Sequence, residues 1–179
     1  IWGISENNLY IVGEKGIILH YDGSKLSVIL SHTSKNLYGI WGTDESNIYV
    51  VGEDRLILKI SKDWVYSILT CASFSKENFR AIYGSSENNI FAVGDNGVIF
   101  HYDGSYWRTQ NSGVSYNLND IWVLDETHAY AVGDHGTIIF YNGTSWSRMD
   151  SPTDRNLYSI WGISENEIYA SGEDGIILK

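Results

Sequence analysis

Ile82 to Trp107, IYGSSENNIFAVGDNGVIFHYDGSYW, decides the fold because the chain repeats it. The other copies begin at Ile1 (IWGISENNLYIVGEKGIILHYDGSKL), Ile40 (IWGTDESNIYVVGEDRLILKI), Ile121 (IWVLDETHAYAVGDHGTIIFYNGTSW) and Ile160 (IWGISENEIYASGEDGIILK). Their starts are 39, 42, 39 and 39 residues apart. A fixed period near forty residues marks one supersecondary unit copied along the chain.

Within the third copy, Phe79 to Tyr83 reads as a short strand a, aromatic and β-branched. A polar turn over Gly84 to Asn89 leads to strand b, Ile90 to Gly94. Asp95-Asn96-Gly97 is a hairpin turn, since Asn-Gly takes positive φ easily, and strand c follows as Val98 to Tyr102. Asp103-Gly104-Ser105 turns once more into strand d, Tyr106 to Gln110. Strands b and c are apolar at consecutive positions, as in Thr137 to Phe140, so their sheets must be covered on both faces. Four-stranded meanders that bury both faces against neighbouring copies make an all-β protein, a β-propeller. The blades are read as 1–39, 40–81, 82–120, 121–159 and a partial fifth, 160–179, forming a single domain or part of one. The second blade departs from the pattern: Arg55 stands where the turn glycine is expected, Ser61-Lys62-Asp63 replaces Asp-Gly-Ser, and three extra residues precede Phe79.

Composition narrows the function. A formal charge of −10 argues against a sequence-independent nucleic-acid binder and against an anionic membrane surface. No stretch has the roughly 18 uninterrupted apolar residues of a membrane helix. With no initiator Met and no signal-peptide pattern, Ile1 reads as an internal position of a longer or processed chain. The single Cys71 forms no internal disulfide.

The hairpins Tyr102 to Trp107 (YDGSYW) and Tyr141 to Trp146 (YNGTSW) resemble those of Asp-box, or BNR-type, propellers, in which an Asp, a Gly and an aromatic fasten the c–d hairpin. Together with IWG, the Val-Gly-acid turn and GxIL, the repeat is also similar to propellers related to photosystem II assembly factors. The hairpin is one residue shorter than the usual Asp-box, and Asn142 takes the Asp place. The resemblance spans all 179 residues and implies a bacterial surface or secreted protein, extracellular or periplasmic. The families include lectin-like modules, assembly factors and sialidases, so they leave the function open.

Residues common to all copies are explained by building a blade. Glu14, Glu53, Asp95, Asp134 and Glu173 in the b–c turns, and Glu6, Glu45, Glu87, Glu126 and Glu165 in the a–b turns, read as turn acids that accept backbone N–H bonds. Trp2, Trp41, Trp122, Trp161 and Tyr83 read as packing between blades. The histidines show no metal-ligand spacing, and His20 and His101 read as strand-c surface residues. No catalytic triad spacing, phosphate-cradling loop or cofactor motif is present, and no metal or catalytic residue is assigned.

Binding is expected where copies differ. Tyr38, Arg80, Asn119 and Tyr158 begin strand a, and the b–c turn tips carry Lys15, Asn96 and His135 at the same edge. Loops on a rigid scaffold are common binding sites. The reading is a non-catalytic module recognising a protein or a glycan through this face. The alternative is a structural or assembly component that self-associates through its incomplete fifth blade, and a glycoside hydrolase comes third.

Overall fold

The computed structural model describes residues 1–62, 64–69 and 76–179; Asp63, Cys71 and residues 72–75 of the lengthened stretch ahead of Phe79 lie outside the described residues. The first sheet is β1 (Trp2–Ser5), β2 (Asn8–Val12), β3 (Ile18–Tyr21) and β4 (Leu26–Ile29); the second is β5 (Leu37–Gly42), β6 (Ile48–Gly52), β7 (Ile57–Ser61) and β8 (Trp64–Leu69). The third holds β9 (Phe79–Ser86), β10 (Asn89–Gly94), β11 (Ile99–Tyr102) and β12 (Trp107–Gln110). The fourth is β13 (Leu118–Val123), β14 (Ala129–Gly133), β15 (Ile138–Tyr141) and β16 (Trp146–Arg148). The fifth has three strands, β17 (Leu157–Ser164), β18 (Glu167–Gly172) and β19 (Ile177–Leu178). Each is an antiparallel meander in chain order. Strand a runs further than its sequence suggests, since β9 continues to Ser86 and leaves only Glu87-Asn88 to turn.

The chain forms two compact units, Ile1–Ile82 and Tyr83–Lys179, with β9 crossing from one to the other. In the first, Tyr10 and Ile18 of the first sheet pack with Ile48, Val50, Leu58 and Ile60 of the second. In the second, Trp122 and Val132 of the fourth sheet pack with Leu157, Ile160 and Ala170 of the fifth. No residue of β10 or β14 is exposed, which is the burial their unbroken apolar runs require. The strand-a aromatics behave unequally: Trp41 and Trp122 are 8% and 4% exposed, whereas Trp161 is 57% exposed.

Both hairpin types are built by short polar side chains. At the c–d hairpin, Asp103 Oδ1 accepts the N–H groups of Ser105 and Tyr106 at 3.0 and 2.9 Å. Asn142 Oδ1 does the same for Thr144 and Ser145, both at 3.0 Å, because an amide oxygen offers the same acceptor as a carboxylate. The preceding tyrosine closes the loop, as Tyr102 and Tyr141 donate to the Gly104 and Gly143 carbonyls. At the b–c turn, Asn96 and Gly97 both have positive φ, 55° and 72°, and the Val98 N–H donates to the Asp95 carbonyl. Arg55 keeps this left-handed backbone without glycine, at φ 54°. Its N–H donates to the Glu77 carbonyl at 2.9 Å and its guanidinium meets the Glu77 carboxylate at 3.2 Å.

Thr137, just after the fourth b–c turn, is fully buried, and its hydroxyl has no hydrogen-bond partner among the described residues. Ile17, Leu56, Val98 and Ile176 hold this position in the other copies. An unsatisfied buried hydroxyl costs about 1–3 kcal/mol. Thr137→Val, which keeps the shape, is therefore expected to raise the urea midpoint, equivalent to about 1 kcal/mol or more of stability. An unchanged or lower midpoint would contradict the assignment.

Acid should destabilise the fold in two windows. Burial depresses the His101 imidazole below its usual 6.5, with Asp103 opposing. The unfolded state therefore binds more protons, and stability falls as pH drops through 6.5. Asp22 is lowered to about 2 by the Lys25 N–H and by the Ser24 hydroxyl and N–H, so its contribution is present above 3.8 and lost toward 2. Asp44 and Asp103 are also lowered by hydrogen bonds, first from the Asn47 amide and the Tyr106 N–H respectively. Asp120 works the other way, because burial raises it and favours the folded state on protonation. A denaturation midpoint measured from pH 7 to 2 is expected to fall; a rise as the pH drops toward 3.8 from above would show Asp120 outweighing the loss at His101.

Candidate functional site

The b–c turns and the starts of strand a share one edge of each sheet, and an asparagine organises that edge. Asn36, Asn78, Asn117 and Asn156 each precede strand a in their sheet. Their side-chain oxygens accept the N–H of the turn tip of the preceding sheet: Lys15 at 2.9 Å, Asp54 at 3.2 Å, Asn96 at 3.0 Å and His135 at 3.0 Å. Asn36 also donates to Glu53, and Asn117 to Asp134, the b–c acids of their own sheets, both at 2.8 Å. Glu53 also accepts the Asn36 N–H at 2.8 Å, and Glu173 accepts the Asn156 N–H at 3.3 Å. At the a–b turns the acids that accept N–H groups are Asp44, from Ser46, and Asp125, from Thr127, rather than the glutamates read from the repeat. Glu53 and Glu173 do accept backbone N–H groups as expected of the b–c acids, from the asparagine that precedes strand a of their own sheet. This clasp is the main feature that the sequence reading passed over, although Asn stands at all four positions.

The clasp fixes the backbone of each tip and leaves its side chain outside. Lys15, Asn96 and His135 are exposed. In the first unit, Tyr38 is 48% exposed and its hydroxyl donates to Glu53 at 3.3 Å, while Arg80 is exposed on β9. In the second unit, Tyr158 is 53% exposed at the start of β17. Asn119 is half-buried, and its amide nitrogen donates to Asp134 at 2.8 Å and to the Leu157 carbonyl at 2.9 Å, next to Tyr158. Asn119 therefore ties the fourth sheet to the fifth. Tyr116, exposed on the connection, lies 4.6 Å from the His135 ring between centroids. Second-unit Asp120 stitches the same two sheets by accepting the Ser159 hydroxyl at 2.8 Å and the Ile160 N–H at 2.9 Å. Its signal was present, because Gly39, Ala81 and Ser159 hold that position in other copies.

At the opposite edge the histidines are not surface residues. His20 and His101 are half-buried, stacked on Tyr10 and Phe91 at 4.4 and 4.0 Å, and each ring nitrogen meets Asn8 or Asn89 at 2.8 Å. The repeat buries strand c, so a ring there must stack and hydrogen-bond. His128 replaces that asparagine in the fourth copy and lies between Asp125 at 3.0 Å and Glu165 at 3.5 Å. The three ligating atoms fall within 4.8 Å of one another, a cluster invisible to spacing because its members belong to two sheets. Asn8 reaches Glu45 in the same way at 2.6 Å, so the His128 contact matches a tie that the first two sheets already make.

No family model matches the sequence, and no curated protein matches it either. Solved structures do. YCF48 from Cyanidioschyzon merolae superposes with a TM-score of 0.72 at 15% identity, covering 98% of this chain and 66% of that one. YCF48 bound to D1 peptide gives 0.66 at 15% identity, covering 98% and 64%. A protein of unknown function from Bacteroides caccae gives 0.56 at 11% identity, covering 96% and 73%. The chain spans about two thirds of the length of those YCF48 chains. YCF48 is a photosystem II assembly factor with a propeller fold, so the likeness read from the IWG and Val-Gly-acid motifs holds at the level of fold. The chain has the all-β fold of a β-propeller, built from four-stranded antiparallel sheets with a three-stranded last one.

Proposed function

We propose that this chain is a non-catalytic, protein-binding propeller segment that recognises its partner through the b–c turn edge of its sheets. The observation that carries the reading is the separation of roles at the turn tips. Asparagine clasps hold the tip backbones, while the side chains of Lys15, Asn96 and His135 point outward and differ from copy to copy. Exposed Tyr38 and Tyr158 add aromatic area of the kind that anchors protein interfaces. A peptide bound to a YCF48 chain supports a protein ligand over a glycan.

The test is calorimetric titration with an array of extended peptides, the D1 peptide among them, followed by the variants Tyr158→Ala and Arg80→Ala. A bound peptide is expected to lose about tenfold or more in affinity with at least one variant, the scale of an interface anchor. Binding unchanged in both would overturn the site. Binding of glycans with no peptide bound would overturn the ligand class.

A further inference from the structure

In the second unit a chain of hydrogen bonds runs from the fourth sheet into the third and back. The Trp146 indole N–H donates to Gln110 Oε1 at 2.8 Å, and the Gln110 amide nitrogen meets His101 Nδ1 at 3.1 Å. His101 Nε2 meets Asn89 Oδ1 at 2.8 Å. The Asn89 amide nitrogen then donates to the Asp125 carbonyl at 3.1 Å and to the Ser85 hydroxyl at 2.8 Å. Trp146 and Asn89 are buried, while Gln110 and His101 are half-buried.

Each proton in this chain has one place. An indole N–H only donates, so the Gln110 oxygen faces Trp146 and its NH2 group faces His101. His101 Nδ1 therefore accepts, and the ring proton sits on Nε2 and goes to Asn89. Gln110 is the link that other copies lack. It stands opposite Ile99, where the first copy has Ile29 opposite Ile18 and the fourth has Met149, whose N–H donates to the Ile138 carbonyl.

A second ring proton has no acceptor. It arrives on Nδ1 and points at the Gln110 NH2 group. A bond from a charged donor is stronger than one from a neutral indole, so the amide turns its oxygen to the ring. Its NH2 group then faces the indole N–H, donor against donor, and the Trp146 bond is lost. The rings beside His101, Phe91 at 4.0 Å and Tyr141 at 6.0 Å, bring no charge. Of the charged groups, Asp103 favours the protonated ring, and Arg108, opposite His101 in the register, is paired with Asp103 at 2.7 Å. Burial outweighs Asp103 and holds the imidazole below 6.5, so the ring is neutral at pH 7.

We infer that His101 and Gln110 form a proton-operated latch between the third and fourth sheets. One proton taken up by the ring turns the Gln110 amide and releases the Trp146 indole. The latch uses none of the turn-tip side chains and stands whether or not that edge binds protein.

The test is nitrogen-15 NMR of the 179-residue chain from about pH 7 to about 5, across the range where a histidine titrates. It follows the His101 ring nitrogens and the exchange protection of the Trp146 indole N–H, which Trp146→Phe identifies. Expected at pH 7 are a proton on Nε2 alone and a protected indole. As His101 takes up its second proton, that protection should fall about tenfold or more after correction for the intrinsic rate. Gln110→Glu, whose two carboxylate oxygens accept from the indole and the charged ring together, should keep the indole protected throughout. Gln110→Met should leave it poorly protected at both ends of the range. A proton on Nδ1 at pH 7 would overturn the proposal, as would an indole that stays protected while His101 titrates. So would wild-type behaviour in either variant, or unfolding of the whole chain before His101 takes up its proton.

Discussion

Phe91→Ala is expected to lower the unfolding free energy by about 3–5 kcal/mol, the range for truncating a buried aromatic. Phe91 has no exposed surface and stands at a crossing of three contacts. It stacks on His101 at 4.0 Å within its own sheet and meets Tyr141 and Trp146 of the fourth sheet edge-on. Losing the ring opens a cavity and removes the floor beneath Trp146, whose indole N–H bond to Gln110 depends on that seat. Relaxation is limited, because Ile90, Ala92 and Val93 on the same strand are fully buried as well. Urea denaturation followed by circular dichroism would read the loss. A change under about 1 kcal/mol would mean that the two sheets are not packed through this ring.

Gly136→Val should be nearly as severe, at roughly 3 kcal/mol, for a different reason. Gly136 sits at φ 62°, which a β-branched residue scarcely adopts. A Cβ there would lie 1.9 Å from the Thr153 carbonyl oxygen, which is main chain and cannot swing away. The Gly136 N–H also donates to the Arg155 carbonyl at 2.8 Å, so any backbone shift that relieves the clash weakens this bond. Thermal unfolding should show the drop. Gly113, at φ 72° on the connection before the fourth sheet, has no atom of the described residues within 4 Å of its would-be Cβ beyond its chain neighbours, and Gly113→Val there isolates the cost of the backbone alone. Equal losses at the two positions would show that the close approach contributes nothing.

Much of this was legible in the sequence. Repetition supplied the strand order, consecutive apolar residues such as Ile90 to Val93 announced sheets buried on both faces, and Asn96-Gly97 specified its turn. The edge carrying Tyr38, Arg80, Asn119 and Tyr158 was also identified as the place where copies diverge. Contacts between copies were harder to read, since a pattern within one repeat says nothing about which atom of the next repeat it meets. Asn117 stands just ahead of strand a, outside the residues that the repeat pattern singled out, yet its side chain bonds forward to Asp134 and backward to Asn96. His101 looked like a surface residue because Lys59 and Phe140 replace it in other copies, whereas stacking on Phe91 half-buries it. Asp125, His128 and Glu165 are distant in sequence by up to forty residues, about one repeat, and only stacking of sheets joins them.

The asparagine clasp has a consequence for how such a gene can change. Every clasp joins the same position of one repeat to the same position of the next, at Asn36, Asn78, Asn117 and Asn156 alike. Unequal crossing-over that removes or inserts one whole 39-residue period between the third and fourth copies therefore recreates an intact clasp at the new joint. The array can gain or lose members without any new interaction having to arise. Point mutation at the tips can meanwhile alter what the edge presents without touching the bond that holds it.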